Sequence, residues 1–242
     1  MRERNKQVNR ESNKESNKET VWVVIAAYNE EKRIGAVVSS VLNTGYNHVV
    51  VVDDGSKDAT NIVAQNAGAE VLRHIINRGQ GAALKTGIDF ALDQGADIIV
   101  TFDADGQHQA EEISALTKPI EAGEVDAVLG SRFLEKKSNV SWHRSLLLKG
   151  GAILVWLFYG IHLTDTHNGF RAFSVQAVQK LQLRADRMEH ASEILEQIAK
   201  QKISYKEVPV TITYSEYSLE KGQRSTAALT ILWNMIKSKI LR

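Results

Sequence analysis

The sequence predicts a single α/β domain, built as one mainly parallel sheet flanked by helices. Three observations carry that prediction. Runs rich in Val and Ile alternate with segments whose apolar residues recur at helical spacing. The runs are apolar throughout rather than alternating, as strands covered on both faces are. Acidic, polar and small residues collect where the runs end, which in an open parallel sheet is the ligand-binding edge. At 242 residues, 43% of them hydrophobic, the chain can bury one substantial core.

The elements follow in order. "VWVVIAA" (Val21 to Ala27) is the first strand, with Asn29 as the cap of a helix whose Ile34, Val37, Val38, Val41 and Leu42 share a face. "HVVVVDD" (His48 to Asp54) is the second strand. A short helix from Asp58 to Ala67 closes at Gly68. Strand "AEVLRH" leads to a helix from Gly81 to Asp93. "DIIVTFD" precedes a helix from Glu111 to Ala122, and "DAVLGS" is a further strand. The second half holds an apolar helical stretch (Trp142 to Tyr159), "GFRAFS", a helix from Glu189 to Lys200, and the alternating run "ISYKEVPVTITY". Pro209 makes that run an edge strand or a strand end, because proline cannot donate to a ladder. From Thr226 to Leu241, residues Leu229, Leu232, Trp233, Ile236 and Ile240 form one face of an amphipathic helix.

Composition excludes several classes. With no cysteine there is no disulfide and no thiolate metal site, and a reducing, cytoplasmic location fits. A net charge of +1 does not indicate a nucleic-acid binder. Residues 1–20 repeat "ESNK" with almost no apolar side chains. They lack the h-region of a signal peptide and read as a disordered polar tail. The most apolar window, Leu146 to Leu163, is interrupted by Lys149 and His162 and falls short of a membrane span.

The chemistry collects at the strand ends. "DIIVTFDADGQH" brings Asp103 and Asp105 to one side of an extended segment, where like charges repel and raise each other's pKa. An EF-hand is excluded, since its sixth and twelfth positions would be Gly and Glu and here are His108 and Ser114. Two readings remain. One is an acid pair capping the helix that follows. The other is a hard divalent cation, Mg²⁺ or Mn²⁺, held by Asp105 with Asp103 and Gln107. In "VVDDGSKD", Asp53 and Asp54 fit either an Asx-turn or carboxylates that recognise a nucleotide base or ribose. The glycine-rich "NRGQG" before a helix places Lys85 to meet a diphosphate.

The ordered motifs "AAYNEE", "VVDDGSKDAT", "NRGQGAALKTG", "FDADGQH", "GSRF", "DTHNGFRAFS" and "EVPVTITY" resemble those of family 2 glycosyltransferases of the GT-A fold. The similarity is greatest to dolichyl- and polyprenyl-phosphate sugar transferases, and it covers Val21 to Gly222. The resemblance implies a nucleotide-diphosphate sugar donor. Ala26, Tyr28 and Glu30 match positions lining base and ribose. Asp53 matches a base contact, with Asp54 and Ala104 in the same nucleotide site. Asp103 and Asp105 match the D-x-D metal site, Gln107 a further metal ligand, and Arg132 a phosphate-binding arginine. The chain departs in having Ala26 where proline is frequent. It also has "YSLEKGQRS" in place of "RxxGxSK", with Lys221 and Arg224 as substitutes.

Together these imply inverting displacement at the anomeric carbon, with Asp105, Arg132 and Lys221 as the catalytic set. A phosphate monoester acceptor is largely dianionic at neutral pH, so it needs cations rather than a base. Arg144 and Arg171 are further candidate cations, and Glu189 or Glu193 would be the base for a hydroxyl acceptor. The basic segment from Tyr217 and the helix face bearing Trp233 fit either peripheral contact with an anionic membrane or packing on the domain. A nucleotidyltransferase would carry a glycine-rich loop after the first strand, and this chain does not. A saccharide-hydroxyl transferase and a non-catalytic sugar-nucleotide-binding protein are the remaining alternatives.

Overall fold

The computed structural model describes residues 19–135, 156–157, 160–166 and 168–213. Strand β1 (Val21–Ala27) lies near the centre of a seven-stranded sheet. Helix α1 (Ile34–Asn43) returns the chain to β2 (His48–Asp53), and α2 (Thr60–Asn66) leads to β3 (Glu70–Arg73). Helix α3 (Gln80–Asp93) crosses back to β4 (Ile98–Asp103). A 3-10 turn (Ala110–Glu112) runs into α4 (Ile113–Glu121), which is followed by β5 (Ala127–Ser131). The remainder comprises β6 (Arg171–Ser174), α5 (Val175–Lys180), α6 (His190–Lys200) and β7 (Tyr205–Pro209). The spatial order is β3-β2-β1-β4-β6-β5-β7.

The expected parallel sheet holds for β3, β2, β1 and β4, and for β5 with β7. Strand β6 is the exception. It runs antiparallel to both β4 and β5, pairing Thr101 with Arg171 and Leu129 with Arg171. Its first residues therefore enter the sheet at the edge where β4 and β5 end.

Period-two burial sorts each strand between two cores. Val21, Val23 and Ile25 of β1 pack with Val49, Val51, Val100 and Phe102 beneath α1, α2 and α4. Trp22 and Val24 face the other way, with Val50, Ile99, Leu129 and Phe173, against α3, α5 and α6. Helix α3 lies so close to the sheet that a Cβ on Gly87 would come within 2.4 Å of Val24 Cγ1. Only a glycine fits between helix and strand there.

Three expectations need correction. Asn29 does not cap α1: its backbone is left-handed (φ 55°), and its side chain accepts from Lys57 N at 2.9 Å. The helix starts later, at Ile34, because residues 28–33 serve the loop that meets β2. Strand β3 is not apolar throughout, since at the sheet edge it exposes Glu70 and Arg73. The helix expected from Glu111 opens instead as a 3-10 turn. Pro209 ends β7, which is the other edge.

Of the stretch Trp142 to Tyr159, only Trp156 and Leu157 are described within it, both helical and exposed. The tail over residues 1–18, Arg144, Lys221, Arg224 and the helix from Thr226 to Leu241 lie outside the described residues. No helix among the described residues is long and apolar enough to cross a membrane.

Candidate active site

Strand register brings the sequence-predicted residues to one edge. Ala26 lies opposite Val52 on one side and Asp103 on the other, and Ala27 lies opposite Asp53. Two loops leave this edge and hold each other. Asn29 N donates to Ser56 Oγ at 2.9 Å and Glu30 N to Thr60 Oγ1 at 2.8 Å. In return, Ala59 N donates to Glu31 Oε2 at 3.0 Å. Tyr28, 40% exposed, stands out from this frame beside Ala26 and Glu30.

The adjacent acids Asp53 and Asp54 do different work. Asp53 is fully buried, and its Oδ1 accepts from Ser56 N at 2.9 Å, the Asx-turn expected for "DDGS". Its Oδ2 lies 3.2 Å from Arg73 Nε without a hydrogen-bonding alignment. Asp53 thus keeps acceptor capacity at the sheet edge. Asp54 is more heavily engaged. Its Oδ1 accepts from Arg78 N (3.0 Å) and His74 Nδ1 (2.7 Å), and its Oδ2 from Gly79 N (2.7 Å). Three donors from one segment thus meet on the Asp54 carboxylate. It ties the 74–79 loop and the start of α3 to the sheet.

The two acids of "DADGQH" sit at the end of β4 and in the turn after it, each with its own partners. Asp103 is one third exposed. Its Oδ2 is 2.9 Å from His108 Nε2, and its Oδ1 is 3.3 Å from Gln80 Nε2. Gly169 presses on the same carboxylate, where a Cβ would lie 2.7 Å from Oδ1. Asp105 Oδ1 accepts from Gln107 N at 3.0 Å, and the Gln107 side-chain amide donates to Oδ2. Arg33 Nη1 donates to the Asp105 carbonyl at 2.8 Å. Gly106, at φ 73°, makes the turn between them, and Ala104 is buried.

Their electrostatics diverge. Burial pushes Asp103 upward, but the hydrogen bond from His108 and the charges of His108, His190 and Arg171 outweigh it and hold the carboxyl low. Burial, followed by the charge of Asp103, lifts Asp105 above the ordinary range. A carboxylate made costly in this way gains from a cation beside it. The donor set of Asp103, Asp105 and Gln107 is all oxygen and fits Mg²⁺ or Mn²⁺. Among the described residues no group of three or more His, Asp or Glu converges on one point. A cation here would take two protein carboxylates and leave coordination positions for phosphate oxygens.

The predicted cations are less available. Arg132, buried at the end of β5, places Nε 2.6 Å and its backbone N 3.2 Å from Asp165 Oδ2, with Nη2 3.4 Å from Oδ1. An ion pair with Asp165 orients its guanidinium. Arg171 is buried and donates to the carbonyls of Asn168 (2.9 Å) and Thr166 (3.3 Å), and burial pulls it down to about 10. It anchors the segment before β6. Lys85 sits half exposed on Asp89, one helical turn further from the sheet edge, so the structure does not bring it into the site. Glu193 accepts from Arg184 N (3.0 Å) and Ala185 N (3.0 Å), a structural role in place of a base.

Sequence reasoning left His108, Gln80, Asp165 and Gly169 without roles. All four lie inside motifs read from the sequence, but only His108 is in the same motif, "DADGQH", as the acid it touches. Gln80 and Gly169 reach Asp103 from distant chain segments, and Asp165 reaches Arg132 in the same way.

The glycosyl transferase family 2 model matches residues 22–182. The chain is 39% identical to an uncharacterized protein of Methanocaldococcus jannaschii, over 99% of this chain and 98% of that one. It is 35% identical to the UDP-N-acetylglucosamine–dolichyl-phosphate N-acetylglucosaminyltransferase of Methanococcus voltae, over 91% of this chain and 96% of that one. Identity to the polyprenol monophosphomannose synthase of Mycolicibacterium smegmatis is 33%, over 82% and 79%. In fold it is similar to glucosyl-3-phosphoglycerate synthase from Mycobacterium tuberculosis, in a crystal structure with Mg²⁺ and UDP. The TM-score is 0.67 at 20% identity, over 90% of this chain and 79% of that one. With a family match that spans well over half of its length, and near full-length relatives above 30% identity, this chain belongs to glycosyl transferase family 2.

Proposed function

We propose that the protein transfers a sugar, with inversion, from a nucleoside-diphosphate sugar to a polyprenyl phosphate of the dolichyl type. One observation carries the donor half of this reading. Asp103 and Asp105, each held by its own donors, stand on the sheet edge beside Ala26 and Asp53. The relatives named as dolichyl- and polyprenyl-phosphate transferases support the acceptor half.

Ala26, Tyr28, Glu30 and Asp53 are assigned to base and ribose, and Asp103, Asp105 and Gln107 to a divalent cation. That cation supplies Lewis acidity toward the departing nucleoside diphosphate. The chain's own share is positional. His108, Gln80 and Gly169 hold the Asp103 carboxylate, and Gln107 orients that of Asp105. The two stitched loops fix the base end of the donor. Asp165 fixes the guanidinium plane of Arg132, which is assigned, with Lys221, to the acceptor phosphate. That phosphate is its own nucleophile, with a second pKa near about 6, so no carboxylate base is required. The commitment of both Glu193 oxygens to backbone N–H groups agrees with this. A polyprenyl acceptor places the reaction at a membrane surface, which the protein would meet peripherally.

The test has two stages. Thermal unfolding with UDP, GDP and dTDP, each with and without Mn²⁺, is expected to show a metal-dependent shift for one of them. At a hundredfold excess over Kd, binding adds about 2.7 kcal/mol. The matching sugar nucleotide is then offered polyprenyl phosphate and an oligosaccharide in competition. Label in the lipid product supports the reading. Label in the saccharide, or no nucleotide-dependent shift in a folded sample, overturns it.

A further inference from the structure

His108 was assigned no part in the reaction by its sequence alone, yet its surroundings set it apart. Its side chain is 2% exposed. The ring lies 5.3 Å from Phe102, edge-on, and 4.8 Å from Phe170, tilted. Its backbone bridges to Ile212, so the 211–213 segment holds it from behind. Nε2 sits 2.9 Å from Asp103 Oδ2, while Nδ1 is buried with no partner among the described residues. A carboxylate accepts only, so Nε2 carries the hydrogen. An imidazole buried among aromatics, with one nitrogen unsatisfied, is an expensive way to fill space. A phenylalanine would pack there without that cost. The group the histidine adds is a single N–H aimed at Asp103.

We infer that His108 is a positioning residue that sets the Asp103 carboxylate for divalent-cation binding. The inference rests on the donor-site reading above. Three constraints act on one carboxylate: His108 holds Oδ2, Gln80 reaches Oδ1, and Gly169 closes one side. The Gln80 contact, at 3.3 Å against 2.9 Å for His108, is the longer of the two hydrogen bonds. Without the His108 donor, Asp103 can rotate away from Asp105. The carboxylate then loses the shorter of the two side-chain hydrogen bonds that fix its orientation. Removing such an outer partner of a metal-binding carboxylate costs about 10–100-fold in metal affinity.

The experiment measures Mn²⁺ binding directly, by the spin-resonance signal of free Mn²⁺. It uses the full chain with whichever of UDP, GDP or dTDP stabilises it. His108→Phe keeps the aromatic packing and removes the donor, and it is expected to raise the Mn²⁺ dissociation constant about 10–100-fold. His108→Gln returns an N–H at the reach of Nε2 and is expected to stay near wild type. If the phenylalanine variant does not fold, His108→Met against His108→Gln makes the same comparison. A folded variant without the donor that binds Mn²⁺ as tightly as wild type overturns the inference. A glutamine variant as weak as phenylalanine also overturns it, since packing would then be the cause. If wild type binds no Mn²⁺ with any of the nucleotides, the donor-site reading falls and the inference falls with it.

Discussion

Asp105 stores a cost that its partners only partly relieve. Its folded value lies above the ordinary 3.8 because burial and Asp103 disfavour its charge. For an acid raised on folding, the folded state holds the proton more tightly than the unfolded one. The protein without bound cation therefore loses stability as pH rises through the window above 3.8, and keeps the deficit at neutral pH. Asp105→Asn is expected to raise the metal-free melting temperature at pH 7, flatten its pH dependence, and lower turnover at least about a hundredfold. Calorimetry at several pH values and a transfer assay check both halves. Asp54 is the contrasting case. Asp54→Ala leaves two backbone N–H groups and His74 without their acceptor. It is expected to cost about 3 kcal/mol or more in denaturant unfolding. Both acids stand in plain sight in the sequence, but their roles do not. Asp53 and Asp54 differ by one residue, and in a strand that difference sends them to opposite faces. Both are buried, but Asp53 turns to Ser56 and Asp54 to the start of α3.

Elements explain why small residues sit where they do. Helix α3 packs on β1 and β2 at Gly87, where an added Cβ would meet Val24 Cγ1 at 2.4 Å and Val52 Cγ2 at 3.1 Å. Gly87→Ala is expected to destabilise by about 1–3 kcal/mol, as overpacking does, despite alanine's better helix propensity. Chemical denaturation measures it. Gly169→Ala acts on the site instead. Its Cβ would enter the space of the Asp103 carboxylate, so Mn²⁺-dependent nucleotide binding should weaken about tenfold or more, with a smaller change in melting temperature. Titration calorimetry separates these effects. The helices and parallel strands were legible because their periodicities are local. Strand β6 was legible as an apolar segment but not as an antiparallel insertion, since pairing direction depends on how residues 132–170 return to the sheet.

Among the described residues, the molecule is a sheet between two cores that share no buried side chain. Ile113 in α4 lies in one and Ile194 in α6 in the other, both almost fully buried. Ile113→Val and Ile194→Val should each cost about 0.5–1.5 kcal/mol. Their sum should hold in the double variant to within about 0.5 kcal/mol, because the sheet separates them. Urea unfolding of the three variants tests this, and a larger discrepancy would mean that strain crosses the sheet. The same architecture divides what the sequence determined from what folding decided. Hydrophobic period, turn glycines and acids at strand ends are local properties, and they were enough to specify the α/β class, the ligand edge and the paired acids Asp103 and Asp105. His108 and Gln107 aside, the contacts that build the site were not local. Gln80, Gly169, Asp165 and the clasp of Asp54 on α3 come from segments separated by tens of residues. Only sheet order and register place them within hydrogen-bonding range. Which carboxylates remain available to a ligand, and which are consumed in holding the site together, is therefore a property of the tertiary structure.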